Sequence, residues 1–190
     1  MALNFPNGFK VNTKKNIAKA NLGMNLEEMI NASNEYYLAV NKAIIHKKPT
    51  PVQIVKVDYP ARNKAVITEA YYKTPSTTDY NGIYRGKYID FEAKENHNKT
   101  SFPLANIHKH QVDHLKQIVE HGGIGFFIIS WNKYNEHYLT PLPLLLKYWD
   151  NQEERKSIPY QAFKDNAYLI KEAYQPRLNY LSVVDEIYFK

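Results

Sequence analysis

Apolar side chains begin to recur at helical spacing at about residue 25. After Asn25 they fall on one helical face, at Leu26, Met29, Ile30, Tyr37 and Val40. Asn25 can cap the first turn, and Glu27 and Glu28 suit the positive end of the helix dipole there. The pattern predicts a first helix over about residues 25–42.

Short runs typical of β-strands follow this helix. They are AIIH at 43–46, VQIVKV at 52–57, AVITEAYY at 65–72 and KYIDFEAK at 87–94. The runs are rich in β-branched and aromatic residues, and prolines and turn residues separate them. We expect these runs to form the centre of a sheet.

The second half of the chain alternates helix and strand patterns. The segment 106–121 places four apolar residues on one helical stripe, and Gly122-Gly123 ends it. The run IGFFIISW (124–131), apolar except for Ser130, is typical of a strand buried on both faces, with HYLTPL (137–142) as its hairpin neighbour. A short closing helix follows Pro176. The pattern predicts an α/β fold, with a central mixed sheet flanked by helices around a single hydrophobic core.

Length and composition indicate one folded domain with a tail. The 190 residues suit a single domain, which we place at 23–190. Residues 1–22 show no apolar period and contain four lysines but no acidic residue. We therefore expect a flexible basic N-terminal arm over 1–22, which either is solvated or holds nucleic acid.

Net charge points to a polyanionic partner. Twenty-five Lys and Arg stand against 19 Asp and Glu, which gives a net charge of +6 and a pI near 9.2. Charge alone leaves DNA, RNA and an anionic membrane open. Cysteine is absent, and the sequence shows neither a signal peptide nor a run of about 18 apolar residues. We expect a cytoplasmic protein without a membrane partner.

The segment TTDYNGIYRGKYIDFEAKE (77–95) carries the candidate chemistry. Strand alternation places Asp90, Glu92 and Lys94 on one face of 87–94. Asp79 lies across a Tyr80-Asn81-Gly82 turn signal, so a hairpin could return it beside Glu92. Two carboxylates can hold Mg²⁺ and leave positions open for water and phosphate, while the lysine orients a reacting water. The alternative is an ordinary ion pair on an exposed strand.

Basic residues around this segment suit a phosphate-gripping surface. They are Arg85, Lys87 and Lys99. Lys47 and Lys48, which precede Pro49, are further candidates for phosphate contacts that position a duplex without reading its sequence.

Four segments resemble the RecU family of Holliday junction resolvases. They are PTPVQIVKVDYP (49–60), ITEAYYKTPSTTDYNGIYRGKYIDFEAKE (67–95), NKTSFPLANIHKHQ (98–111) and QPRLNYL (175–181). The resemblance covers nearly the whole chain after about residue 23. It implies a restriction-endonuclease-like fold of the PD-(D/E)xK nuclease superfamily. It also implies a Mg²⁺-dependent endonuclease that resolves four-way DNA junctions by paired symmetric hydrolysis in recombination and repair.

The resemblance assigns roles to individual residues. Asp79 and Glu92 become metal ligands together with Thr77, which lies beside the scissile phosphate, and Lys94 becomes the catalytic lysine. Glu27 matches an additional catalytic glutamate of the first helix, although a first-turn carboxylate is also favoured by the helix dipole. Mg²⁺ is the expected cofactor, with Mn²⁺ able to substitute.

The resemblance also implies a homodimer in which each subunit carries a β stalk that enters the junction. Here the stalk would span about 57–72 and contact DNA through Tyr59, Arg62, Lys64 and Tyr72. Composition alone is equally compatible with an ordinary exposed hairpin. One departure concerns the arginine expected before the first helix, since this chain has Leu22-Gly23.

Other functions stay open from sequence. They are a general repair endonuclease that cuts linear duplex, a junction-binding scaffold that modulates a RecA-type recombinase, and an RNA-binding module without catalysis. His110 and His114 have the spacing of helical zinc ligands, but Gln111 replaces the glutamate of a metalloprotease motif. We favour His108, His110 and His114 as polar groups near the DNA face or on a solvated side of the helix.

Overall fold

The computed structural model describes residues 24–61, 63–73 and 77–190. Within them the helices are α1 (Leu26–Ala39), α2 (Lys109–Glu120), α3 (Leu142–Trp149), α4 (Tyr160–Asn166) and α5 (Tyr180–Tyr188). The strands are β1 (Ile44–Lys47), β2 (Val52–Asp58), β3 (Val66–Tyr72), β4 (Tyr80–Tyr84), β5 (Lys87–Asn96), β6 (Ser101–Pro103), β7 (Ile124–Trp131), β8 (Glu136–Pro141), β9 (Ser157–Pro159) and β10 (Tyr168–Ile170). The predicted basic arm at 1–22 lies outside the described residues.

Six strands form the central sheet, in the order β1-β4-β5-β7-β8-β10. β5 and β7 run parallel, and the other neighbouring pairs are antiparallel. The parallel pair needs a crossover, which α2 provides between them. The predicted α/β fold with a mixed central sheet is therefore confirmed, as are the strand at 124–131 and the closing helix after Pro176.

Two hydrophobic clusters pack on the sheet, so the expectation of a single core was wrong. β7 is buried along its whole length and supplies both clusters. Phe126 and Ile128 join the cluster covered by α1 and α5, whereas Phe127 and Ile129 join the one covered by α2, α3 and α4. A strand buried on both faces places alternate side chains in two separate layers.

The first helix begins as predicted but ends three residues early. The Asn25 side chain accepts a hydrogen bond from the Glu28 backbone (2.8 Å), and the Glu28 carboxylate accepts one from the Asn25 backbone (3.0 Å). At the other end, Asn41 has a φ of 53°, a left-handed conformation that does not continue a helix.

The Tyr80-Asn81-Gly82 segment is a strand, and its interpretation as a turn was wrong. It belongs to β4, which pairs with both β1 and β5. Gly82 is needed there because an added Cβ would lie 2.0 Å from the Ile44 carbonyl oxygen. The chain reverses instead at Arg85 and Gly86, whose φ values are 49° and 75°. The predicted hairpin exists with its turn further along the chain.

β2 and β3 form a separate two-stranded ribbon. Their side chains are exposed except that of Val57, which is half-buried. The expectation that the runs at 52–57 and 65–72 lie in the centre of the sheet was therefore wrong. The ribbon overlaps the segment predicted as a stalk but begins at Val52 and not at about residue 57, and its role as a stalk stays a prediction. Arg62 lies outside the described residues. None of the described helices is long and apolar enough to cross a membrane.

Candidate active site

The β4–β5 pairing brings Asp79 and Glu92 together. Tyr80 lies opposite Phe91, so Asp79, directly before β4, meets the next position of β5. The Asp79 backbone N–H donates to Glu92 Oε2 at 3.1 Å, and Lys94 Nζ lies 2.8 Å from Glu92 Oε1. The predicted approach of Asp79 to Glu92 is therefore confirmed.

Glu92 is 1% exposed, and burial raises its pKa to about 7. The nearby Lys94 ammonium opposes this rise, while the Asp79 charge adds to it. Gln111 on α2 donates from Nε2 to Glu92 Oε1 at 2.6 Å. The site therefore holds two close carboxylates whose mutual repulsion a bound cation would relieve.

The oxygen donors here fit a hard cation. Glu27, Thr77 and Asp79 line one cleft of about 370 Å³, together with Lys47 and Lys48. Among the described residues no three His, Cys, Asp or Glu side chains form a group able to hold a metal ion. The Asp79 and Glu92 carboxylates and the Thr77 hydroxyl are oxygen donors of the kind that Mg²⁺ binds, and their role as ligands stays a prediction.

The first helix places Glu27 at the same cleft as Asp79. The Glu27 carboxylate forms an ion pair with Lys47 Nζ, and both side chains are about half exposed. This pairing gives Glu27 a partner other than a metal ion, and both residues line the cleft. The catalytic role of Glu27 and the phosphate contact of Lys47 stay predictions.

Strand alternation placed Asp90 on the correct face of β5, but the family resemblance assigned it no role. Asp90 is fully buried, and Lys48 Nζ lies 2.8 Å from its Oδ2. Tyr88 donates to the same oxygen at 2.9 Å, and His114 Nε2 lies 3.1 Å from it. The Lys48 ammonium thus binds inside the protein, and the predicted phosphate contact by Lys48 stays a prediction. Only the polar face of β5 signalled this network in the sequence.

Gln111 was also missed. It is buried at the start of α2, where its side-chain oxygen accepts the His108 backbone N–H at 3.0 Å. In the sequence, Gln111 is recognisable as a polar residue in the first turn of a helix that packs on apolar strands. The neighbouring histidines do not converge on one point: His108 and His110 stack at 5.5 Å, whereas His114 contacts Asp90.

The predicted DNA-contacting residues divide into two groups. Tyr59, directly after β2, is 69% exposed, and Lys64 in the same β2–β3 loop is exposed as well, whereas Tyr72, at the opposite end of the ribbon, is 84% exposed. On the main body, Arg85 pairs with Asp185 at 2.9 Å, and Lys87 donates to the Gly122 carbonyl at 3.4 Å. Lys99 is exposed beyond the end of β5. The exposed ribbon aromatics are available for a partner, and the DNA contacts of both groups stay predictions.

Known proteins resemble the chain over its whole length. The family model of Recombination protein U matches residues 21–186. A Holliday junction resolvase RecU of Geobacillus kaustophilus is 54% identical over 100% of this chain and 99% of its own, and one of Oceanobacillus iheyensis is 53% identical over 98% and 100%. A solved structure of the resolvase Hjc from Archaeoglobus fulgidus matches 72% of this chain and 93% of that chain, with a TM-score of 0.39 and 10% identity. The two sequence relatives and the family model establish that the chain belongs to the RecU family.

Proposed function

We propose that this chain is a Mg²⁺-dependent, structure-selective endonuclease that resolves Holliday junctions in homologous recombination and DNA repair. The observation that supports the proposal is the convergence of Asp79, Glu92 and Lys94 at one end of the β4–β5 pairing. Full-length relatives that are more than 50% identical and are named as Holliday junction resolvases support the substrate. Phosphodiester hydrolysis needs this combination of oxygen ligands and a cation beside the attacking water.

Each residue of the site has a distinct task in this mechanism. Asp79 and Glu92 supply anionic oxygens, and Thr77 adds a hydroxyl beside the scissile phosphate. A bound Mg²⁺ would supply positive charge for the leaving oxygen and lower the pKa of a coordinated water. Lys94, 2.8 Å from Glu92, favours the charged form of that carboxylate and orients the attacking water. Mn²⁺ provides the same coordination chemistry.

Junction recognition falls to the ribbon and to subunit symmetry in this proposal. Tyr59 and Tyr72 offer aromatic faces to unstacked bases, and Lys64 offers charge to phosphates. A homodimer with a two-fold axis would present two sites to two symmetric strands, as paired symmetric hydrolysis requires. A RecA-type recombinase in the cytoplasm is a further partner consistent with family membership.

Cleavage of a labelled four-way junction beside a linear duplex of the same sequence tests the proposal. Mg²⁺ should support symmetric cutting of the junction alone, and EDTA should prevent it. Asp79→Ala should abolish cutting and leave junction binding intact. Equal cutting of both substrates would indicate a general repair endonuclease, and binding without cutting would indicate a scaffold that acts through a recombinase.

A further inference from the structure

Asp90 is a fully buried carboxylate that has no task in the mechanism above. It lies on β5 two residues before Glu92. A buried carboxylate is unfavourable unless cations and hydrogen-bond donors compensate it, and apolar residues can fill such a position at least as stably. A buried charge at this place therefore calls for a role beyond packing.

The partners of Asp90 come from four different parts of the chain. Around Oδ2 lie Lys48 Nζ, the Tyr88 hydroxyl and His114 Nε2, at 2.8, 2.9 and 3.1 Å. The Thr78 hydroxyl donates to Oδ1. These contacts engage both oxygens of a carboxylate that is fully buried. Its role must act through one of these partners.

Thr78 is the partner that connects Asp90 to the cutting site, because it stands between Thr77 and Asp79. Asp79 is held by two hydrogen bonds of its own backbone. Its N–H donates to Glu92 Oε2 at 3.1 Å, and its carbonyl accepts the Lys48 N–H at 2.7 Å. Thr78 is held by its side chain, which binds Asp90 and also accepts a bond from Lys48 Nζ at 3.0 Å. Asp90 and Lys48 thus fix the chain just before Asp79.

We propose that Asp90 is a positioning residue of the metal site. Through Thr78 it fixes the Thr77–Asp79 backbone, so that the Thr77 hydroxyl and the Asp79 carboxylate stand beside Glu92 before a metal ion binds. This inference rests on the proposed function. Residues that orient metal ligands typically change metal affinity or activity by about 10–100-fold when they are replaced.

Two pairs of variants test the proposal. Thr78→Val removes the hydroxyl at nearly constant shape, and Thr78→Ser retains it. Asp90→Asn removes the charge that holds Thr78 and Lys48, and Asp165→Asn makes the same change at an exposed site that contacts only Gln161 among the hydrogen bonds of the described residues. The measurements are Mn²⁺ affinity by calorimetry without DNA, and the Mg²⁺ concentration that gives half-maximal junction cutting.

Thr78→Val and Asp90→Asn should each weaken Mn²⁺ binding and raise the half-maximal Mg²⁺ concentration by about 10-fold or more. Thr78→Ser should restore values close to wild type, Asp165→Asn should change neither, and junction affinity in EDTA should stay constant in all four. A loss of rescue by serine would argue against the hydroxyl–carboxylate contact.

Wild-type Mn²⁺ affinity in Thr78→Val would overturn the proposal even if its unfolding midpoint were lower, because a merely structural role lowers stability without changing metal binding. If Asp90→Asn does not fold, the two Thr78 variants decide the matter. If the wild-type chain cuts junctions and Thr78→Val retains wild-type Mn²⁺ affinity, the positioning role of Asp90 is contradicted and the proposed function is not. A wild-type chain that neither binds metal nor cuts contradicts the proposed function as well.

Discussion

At the scale of single residues, burial and nearby charges shift the pKa values of titratable side chains in the sheet. His137 on β8 is 5% exposed and lies 3.3 Å from Glu172. Burial lowers the pKa of His137 below its ordinary value of 6.5, although the Glu172 charge opposes the change. The folded protein therefore takes up this proton at lower pH than the unfolded chain does.

This difference predicts a contribution to stability that is lost on acidification. Below about pH 6.5 the unfolded chain binds more protons at position 137 than the folded one, so the free energy of unfolding falls as pH falls. The slope contributed by one such group is at most about 1.4 kcal/mol per pH unit. His137→Gln should remove this contribution, which urea unfolding at several pH values between about 5 and 7.5 would measure.

The comparison must be made between variants, because the raised pKa of Glu92 gives a slope of the opposite sign over part of this range. His46→Gln is the matched control, since His46 is exposed on β1. If the stability of His137→Gln depends on pH as that of wild type and His46→Gln does, then His137 titrates alike in both states and its burial has no effect on proton uptake.

At the scale of elements, sequence patterns predicted those segments whose own side chains decide their structure. α1 has its cap and its apolar stripe, and β7 has an uninterrupted apolar run. The eight-residue helix α3 was missed because its type depends on burial of Leu142 and Leu145 against other elements. β4 was missed because its Gly82 was interpreted as a turn residue, whereas in the structure this glycine allows β4 to lie close to the backbone of β1.

The candidate site was predictable where it depends on the alternation of one strand and on the hairpin that this strand forms. Strand alternation placed Glu92 and Lys94 on one face, and the hairpin returned Asp79 to them. Gln111, His114 and Lys48 could not be found in this way, because they reach Glu92 and Asp90 from α2 and from the residue after β1. Contacts between distant segments leave no periodic signal in a single sequence.

The ribbon is an element whose surface predicts a role in binding and not in folding. Tyr59, directly after β2, is 69% exposed. We expect Tyr59→Ser to weaken junction binding by about 10-fold, because stacking of one base on an aromatic ring contributes about 1–3 kcal/mol. Gel-shift titration with a four-way junction in Ca²⁺, where cutting should not occur, would measure the change.

Tyr174→Ser is the matched control, because Tyr174 is also exposed, at 63%, but lies outside the ribbon. Its junction affinity and the unfolding midpoints of both variants should match those of wild type. Equal weakening by the two substitutions would mean that Tyr59 has no special contact with the junction, and the ribbon would lose its proposed part in recognition.

At the scale of the whole molecule, the two faces of the sheet are covered unequally. α1 and α5 close one face, while on the other α2 packs over β5 and β7 and α3 and α4 cover the cluster beside them. Beyond α2, three cross-strand neighbours, Ile44, Ile83 and Tyr88, form an apolar row that is 51%, 57% and 37% exposed. The row lies at the β1 edge of the sheet, and exposed apolar groups beside an open edge are typical of protein contacts.

We expect this row to contact the second subunit of the proposed homodimer. Ile83→Lys places a charge in its centre and should shift the chain from dimer to monomer, with sedimentation equilibrium as the measurement. Leu169→Lys is the matched control, because Leu169 is 53% exposed on β10, the opposite edge strand of the same sheet. A monomer produced by Leu169→Lys and not by Ile83→Lys would move the interface to the β10 edge.

Because two symmetric cuts need two sites, the monomeric Ile83→Lys variant should nick junctions without resolving them. An Ile83→Lys variant that stays dimeric and resolves junctions normally would contradict the assignment of this row to the subunit interface.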